Sequence, residues 1–354
     1  MELEFSTVWE DYGLEELQNS LNSLFPQYQL PLQNMLERIL TGDVLGIVGD
    51  LFLSCSQGIV QQVLSLKSVF VWLLLLGIAA SILSHFAEVL SKHQVADLSY
   101  YFMYLLTVTV LLKCFLHVSD VAGKALENIV LFMQMVVPAF LLSVGVATGI
   151  TTVGAYSQLF ILIIYGIQQI LGKGVFQLIS GYMVLTMLNG IWIEERLALL
   201  VEFMKKIVLF VLKAAIGIVT GVSLFQSVIT PVLDCAKSGI WQKVITSIPG
   251  VGNVSDGIIG MVLGSAVVIK NSIGVVLLLL LLILCATPLV QIFAMAWMLR
   301  LVAAVLGIVS DKRLVDCTNR MGEGCMLLLR TVATAMVLFL IVVSVLAMAT
   351  NRGF

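Results

Sequence analysis

Side chains able to do acid–base, nucleophilic or metal chemistry are few in this sequence and do not cluster. Three histidines, His85, His93 and His117, have no carboxylate or cysteine at a catalytic or metal-binding spacing. The six cysteines include no CxxC pair, and Cys114 and Cys285 lie in apolar runs that favour small buried thiols. No GxxxxGK[ST], HExxH or GxSxG motif occurs. The sequence therefore predicts no catalytic residue, no metal and no cofactor, and a protein that is not an enzyme.

Charged residues within or beside apolar runs are the remaining candidates for chemistry. Lys213 is the deepest of them, about one and a half turns into its run. Its ammonium group would either snorkel to the membrane surface or serve a pore or subunit contact. Since no Asp or Glu lies inside a run to pair with it, the pattern speaks against a proton-coupled transporter. The other charged residues within or beside apolar runs are Lys113, Lys270, Arg300 and Arg330.

Composition sets the class of protein that must position these residues. Of 354 residues, 60% are hydrophobic and 11% charged, with a mean hydropathy of +1.08. Soluble domains carry about 25% charged residues, so a soluble enzyme is excluded. The net charge of −2 gives no indication of nucleic-acid binding. We therefore predict an all-α, polytopic membrane protein whose immediate partner is the lipid bilayer.

The longest apolar run extends from Ser272 to Met298 and is interrupted once, by Pro288. No charge occurs from Asn271 to Leu299, which as a helix of about 29 residues would be about 44 Å long. A bilayer core is about 30 Å thick. We therefore expect this segment to tilt, to bend at Pro288 or to form a hairpin. A polar, glycine-rich turn at 247–256 and a small-residue helix at 257–266 precede it.

Two regions are predicted. Residues 1–66 hold nine acidic residues against one base, Arg38, in a pattern typical of two amphipathic helices that Pro26 and Pro31 separate. This region would either cap the membrane domain or serve as a docking surface or interfacial helix. Residues 67–354 form the membrane domain.

We expect seven to nine spans in the membrane domain. Tyr100, Tyr101 and Tyr104 would form an interfacial aromatic belt. Residues 194–206 would lie at the interface, and 311–323 would form a polar connection. The predicted spans are 70–83, 100–112, two within 128–172 that bend at 149–154, 174–193, 207–229 ending at Pro231, the segment 272–309, and 331–350.

Three GxxxG pairs are candidate helix-packing sites: Gly145 and Gly149, Gly217 and Gly221, and Gly260 and Gly264. In lipid, small residues let helix backbones approach each other closely. The contacts would lie within this chain or with another subunit, including a second copy of the chain.

A second set of residues forms a candidate conduit or partner contact. The turn would re-enter the bilayer or line a path, and Asn271 would cap the next helix. Proline in an apolar run marks either a plain kink or a broken helix at a transport site. The set consists of Pro249, Gly250, Gly252, Lys270, Asn271, Pro288 and Lys213.

Several of these motifs together resemble the stage III sporulation protein AE family of endospore-forming bacteria. They are the 247–252 turn SIPGVG, the segment GSAVVIKNSIG at 264–274, the Ala286-Thr287-Pro288 break and the stretch SDKRL at 310–314. The resemblance is strongest over residues 245–330 and extends over most of the chain.

This resemblance implies a subunit of the channel complex that joins mother cell and forespore. It implies a place in the mother-cell membrane around the forespore, with a cytoplasmic ATPase and ring-forming proteins as partners. No catalytic residues are carried over. The alternatives are a stand-alone secondary transporter or permease built around Pro138, Pro288 and Lys213, and a scaffold that recruits the ATPase and ring proteins without lining a path.

Overall fold

The computed structural model describes the backbone at residues 93–148, 150–191, 196–245, 252–308 and 312–351, with isolated positions before 93. All the regular structure in these ranges is helical, which confirms the predicted all-α class. A π-helical segment, Gln168–Val175, joins the second and third helices. The α-helices are α1 His93–Thr148, α2 Ile150–Ile167, α3 Phe176–Asn189, α4 Ala198–Ile245, α5 Gly252–Leu306 and α6 Lys312–Asn351.

Four stretches of the described helices are long and apolar enough to cross a bilayer. They are Tyr101–Pro138, Phe160–Asn189, Ser272–Leu306 and Lys312–Val345. With the helical class, they support the predicted membrane protein. The predicted total of seven to nine spans stays a prediction. Most of the 1–66 region and half of the 70–83 span lie outside the described residues.

Helix α1 is longer than the sequence pattern predicts. The separate 100–112 span, the charged segment after it and the start of the 128–172 run form one helix of 56 residues. The predicted bend at 149–154 agrees with the structure, because Gly172, after α2, lies against Leu126 of α1, so the chain reverses direction between them. Charged side chains did not interrupt α1 because they lie on its exposed face, as Asp120 and Lys124 do.

The other predicted boundaries need similar corrections. Helix α4 begins at Ala198, inside the predicted interfacial segment, and continues past Pro231 to Ile245. Helix α5 joins the small-residue helix to the long apolar run and passes through Pro288 as one helix, not a hairpin. Helix α6 joins the predicted polar connection to the last span. In a helical bundle, neighbouring groups compensate for the hydrogen bond that a proline removes, so proline does not have to end a helix.

Helix α6 is the central helix of the bundle, packing against α1, α3, α4 and α5. Its buried side chains recur every three or four residues and continue around more than one face. A helix apolar on most sides is expected at the centre of a bundle. The fully buried members include Met321, Cys325, Leu328, Val332, Ala335, Leu338 and Phe339.

Named contacts give the position of each helix relative to α6. Tyr104 of α1 reaches Cys317 and Lys205 of α4 reaches Glu323. An added methyl at Gly322 would meet Arg300 and Ala296, and one at Gly307 would approach Val315, so α5 runs antiparallel to α6.

Helix α3 is antiparallel to both α1 and α6. Methyl groups built at Gly190 and Gly123 would meet Tyr104 and Phe176 respectively, which pairs the end of α3 with the start of the described part of α1. A methyl built at Gly324 of α6 would meet Met183. The beginning of α6, the beginning of α4 and the ends of α3 and α5 therefore lie at the same end of the bundle, which we call the charged end.

Candidate functional site

Glu323 of α6 is the centre of a polar cluster near the charged end. Its Oε2 accepts a hydrogen bond from Lys205 Nζ of α4 at 2.7 Å and one from the Tyr182 hydroxyl of α3 at 3.4 Å. The same hydroxyl lies 3.4 Å from the carbonyl oxygen of Arg320. Lys205 and Glu323 are about one-third and one-quarter exposed, at 34% and 27%. One carboxylate thus connects three helices.

The turn between α3 and α4 brings Lys205 to this place. Asn189, the last residue of α3, is buried. Its side-chain oxygen accepts a hydrogen bond from the backbone N–H of Leu197 at 2.9 Å, across the turn. This bond satisfies a backbone donor just ahead of α4, where a helix leaves its first N–H groups unpaired. The hairpin is thereby closed and Lys205 is directed towards α6.

Tyr104 connects three helices on the other side of α6. Its hydroxyl donates to the carbonyl oxygen of Met187 at 2.6 Å and lies 3.6 Å from Cys317 Sγ. The side chain is only 1% exposed. The predicted aromatic belt is therefore wrong for Tyr104. The ring fits because Gly190 has no side chain to displace it.

A more exposed ion pair lies one turn away on α4. Glu202 Oε1 is 3.0 Å from Lys206 Nζ, and both side chains are mostly exposed. The hydrogen bond from Lys206, and then its positive charge, hold the pKa of Glu202 below its usual value. On the facing α5, Arg300 lies against Gly322. Its Nε is buried and finds no hydrogen-bond partner among the described residues.

The cluster is suited to fixing helix positions. Glu323 is matched by a cation and a phenol, and Tyr104 by a carbonyl oxygen, so these side chains satisfy one another. Such closed networks favour one arrangement of the helices that carry them. Within the described part of the chain, no three His, Cys, Asp or Glu side chains come close enough to hold a metal ion.

The sequence pattern did not indicate this cluster. It assigned 194–206 to the interface and 311–323 to a connection, and so recognised the polarity but not the pairing of the two segments. Lys205 and Glu323 are 118 residues apart in the chain, and no local periodicity links them. The pattern assigned Tyr104 to an aromatic belt, and Tyr182 carried no signal beyond its presence in an apolar run.

The predicted glycine pairs do not belong to the cluster. Gly217 and Gly221 lie on the exposed surface of α4, and a methyl built on either meets no other atom within 4 Å in the described structure. The side chains of Gly145, Gly260 and Gly264 fall outside the described residues, as does Gly149 altogether. Their predicted packing role stays a prediction.

The predicted conduit residues are not brought together in the part that is described. Lys213 is exposed on α4, and Pro288 is partly buried inside α5. Gly252 is the first residue of α5, which also contains Lys270 and Asn271. Asn271 therefore lies inside a helix and does not cap one. Pro249 and Gly250 lie outside the described residues.

The fold and the cluster define a helical membrane protein with buried polar links between its helices. The family model for stage III sporulation protein AE matches residues 30–350, and the chain belongs to that family.

One curated relative is the stage III sporulation protein AE of Bacillus subtilis (strain 168). It is 19% identical over 281 residues, which cover 79% of this chain and 70% of the relative. No solved structure matches the chain.

Proposed function

We propose that this protein is a non-enzymatic, integral-membrane subunit of a channel or secretion-like complex that links mother cell and forespore. The observation that carries the proposal is the family match over residues 30–350, which places the protein in sporulation. The apolar helices long enough to cross a bilayer fit a role inside a membrane. By this proposal it lies in the mother-cell membrane around the forespore and contacts a cytoplasmic ATPase and ring-forming proteins.

The exposed surface of α4 supports the subunit part of the proposal. Gly217 and Gly221 lie one turn apart on this surface, together with the exposed Ile218 and Val222. Small residues on a lipid-facing helix let a second helix approach closely. Such a surface suits contact with a neighbouring subunit or a second copy of the chain.

Deletion of the gene in the bacterium that carries it tests the proposal. Spore development should stop after engulfment, with loss of heat-resistant spores and of late forespore gene expression, and a reintroduced intact copy should restore both. Normal numbers of heat-resistant spores in the deletion strain would contradict the proposal.

A membrane scaffold is the second candidate, because the surface with Gly217 and Gly221 would serve equally well to hold partners that form the path themselves. Co-purification of the ATPase and ring-forming proteins is expected in both cases. Cysteines placed along α4 and α5 distinguish them: reaction with a polar thiol reagent at mid-membrane depth in the assembled complex favours a lining role. Protection of every position favours the scaffold.

A further inference from the structure

Four apolar runs of the bundle each adjoin a charged residue. On α1 the run follows Glu127, on α2 it precedes Lys173 of the π-helical segment, on α4 it follows Lys213, and on α6 it follows Arg330. The charge-free stretches that adjoin them are 128–148, 150–172, 214–233 and 331–350. Each contains between 20 and 23 residues, close to the roughly 20 that a helix needs to cross a bilayer core.

Contacts between helices relate the heights of these charged residues. Lys213 lies eight residues after Lys205, and Arg330 lies seven after Glu323, the partner of Lys205. Since α4 and α6 run in the same direction, Lys213 and Arg330 lie within about one residue rise of each other.

Helices α1 and α5 reach the same layer. His117 and Val121 of α1 face Gln291 and Met295 of α5 across a shallow cleft. Gln291 is nine residues before Arg300, which contacts Gly322, and Arg330 is eight after Gly322. Gln291, and with it His117 and Val121 of α1, is therefore level with Arg330. Glu127 lies six residues beyond Val121, about 9 Å along α1.

The π-helical segment and α3 place Lys173 at a similar height. Leu126 of α1 adjoins Gly172, next to Lys173. Met183 adjoins Gly324; Lys173 is ten residues before Met183 and Arg330 six after Gly324. Lys173 and Arg330 therefore differ in height by about four residues, or one helical turn.

The side chains of this layer are exposed and mainly basic. Asp120 and Lys124 form an ion pair with each other at 2.8 Å, and Glu127 is the other acid. Positive side chains in an outward-facing ring match the phosphates of lipid headgroups. We call the exposed charged residues within about two helical turns of this level the basic belt: Lys113, Asp120, Lys124, Glu127, Lys173, Lys213 and Arg330.

The two sides of the basic belt differ in their content of charged residues. Towards the end of α6, the stretches named above contain no charged residue. Towards the charged end lie the Lys205–Glu323 pair, Arg300, Glu202 and Lys206. Charged groups are costly in a hydrocarbon core, so the charge distribution favours lipid on the first side.

We propose that the hydrocarbon core of the bilayer surrounds only the half of the bundle between the basic belt and the end of α6, with the belt at the headgroup phosphates. The charged end then projects from the lipid core by about 27 Å along α6, the length of 18 residues from Lys312 to Leu329. The placement does not depend on the proposed sporulation role.

This placement accounts for the excess length of the apolar run in α5. From Asn271 to Val290, just before Gln291, there are 20 residues, about 30 Å as a helix. The remaining residues to Leu299 pass through the headgroup region. There Phe293 and Trp297 form an exposed aromatic pair, with ring centroids 6.0 Å apart, as is common where a helix leaves the lipid core.

Depth-dependent fluorescence quenching tests the placement. Single cysteines would be introduced at exposed positions of the full chain in which Cys55 and Cys235 are serine, and labelled with a small fluorophore. The protein would be reconstituted in phosphatidylcholine–phosphatidylglycerol vesicles with nitroxides at the headgroup or in mid-chain. Lys213→Cys probes the belt, Val222→Cys and Val337→Cys probe the proposed lipid side, and Val184→Cys and Phe203→Cys probe the charged end.

The mid-chain nitroxide should quench Val222→Cys and Val337→Cys severalfold more strongly than Val184→Cys and Phe203→Cys. The headgroup nitroxide should dominate at Lys213→Cys. Equal mid-chain quenching on both sides of the belt, or dominant mid-chain quenching at Lys213→Cys, would overturn the proposal. Because all five side chains are exposed, the substitutions should leave the fold intact, which circular dichroism checks. A normal deletion strain would remove the sporulation role without affecting this result.

Discussion

Lys205 and Glu323 form an ion pair, 2.7 Å from Nζ to Oε2, that fastens α4 to the central helix α6. The two side chains are partly buried, and the Tyr182 hydroxyl adds a third helix. Removing one partner would leave the other charge unpaired and only partly hydrated. In this position such a loss costs more than at the surface and less than in a dry core.

We predict that Lys205→Met lowers the free energy of unfolding by about 1–2 kcal/mol. Thermal unfolding in detergent, with the wild type alongside, measures it. Lys206→Met is the matched control because its partner Glu202 is on the same helix and both are well exposed; its effect should stay under about 0.5 kcal/mol. Equal losses in the two variants would contradict the structural role of Glu323.

The Tyr104 hydroxyl is a second link whose removal should be measurable. Tyr104→Phe keeps the ring but leaves the carbonyl oxygen of Met187 without its donor. We expect a loss of about 1–2 kcal/mol in the free energy of unfolding, measured by the same detergent unfolding. Tyr165→Phe, at a 59% exposed position on α2, should have almost no effect. No change in the Tyr104 variant would mean that the bond contributes nothing.

Gly190 and Gly217 should respond to alanine in opposite directions. At Gly190 a methyl group would meet the Tyr104 ring, including Cε2 at 2.9 Å. Because that ring is buried and hydrogen-bonded, we expect a loss of about 1–3 kcal/mol. At Gly217 the methyl enters open space inside a helix, where alanine gains about 0.5–1 kcal/mol over glycine. The midpoints of thermal unfolding would show the two signs, and a stable Gly190→Ala would contradict the packing around Tyr104.

The sequence predicted the helical class, the lipid environment and the bend between α1 and α2, because apolar content and glycine act locally. It placed helix ends wrongly at Pro231 and at the charged residues between 113 and 127. There, packing against neighbouring helices outweighs the local cost of a proline or a charge. Lys205, Tyr182 and Glu323 became a site only when folding joined segments more than 100 residues apart in the chain.

Buried cysteines give a prediction that also affects how topology can be mapped. Cys114, Cys285, Cys317 and Cys325 are all buried and free. We expect none of them to react with a maleimide in the folded protein and all four to react after denaturation, as intact-mass measurement would show. Fast reaction of Cys317 or Cys325 in the folded protein would mean that α6 is not central. Topology mapping therefore needs cysteines introduced at exposed positions.

The surface of α4 carries the last prediction. Gly217 and Gly221 follow Lys213 by one and two turns, so the proposed bilayer placement puts them inside the hydrocarbon core. If a neighbouring subunit packs there, Gly217→Leu should fill the approach path and sharply reduce heat-resistant spores and co-purification of partners. The unfolding of the purified chain should stay close to wild type, since the side chain enters open space.

Two further variants make the test of this surface specific. Gly217→Ala adds less volume and should give a smaller loss of spores than Gly217→Leu, because close helix contact is graded by side-chain size. Gly166→Leu places the same side chain at another open position, on α2, and should leave sporulation normal if the contact belongs to α4. Full sporulation with leucine at both Gly217 and Gly221 would leave this surface to lipid, and the neighbouring subunit would have to bind elsewhere.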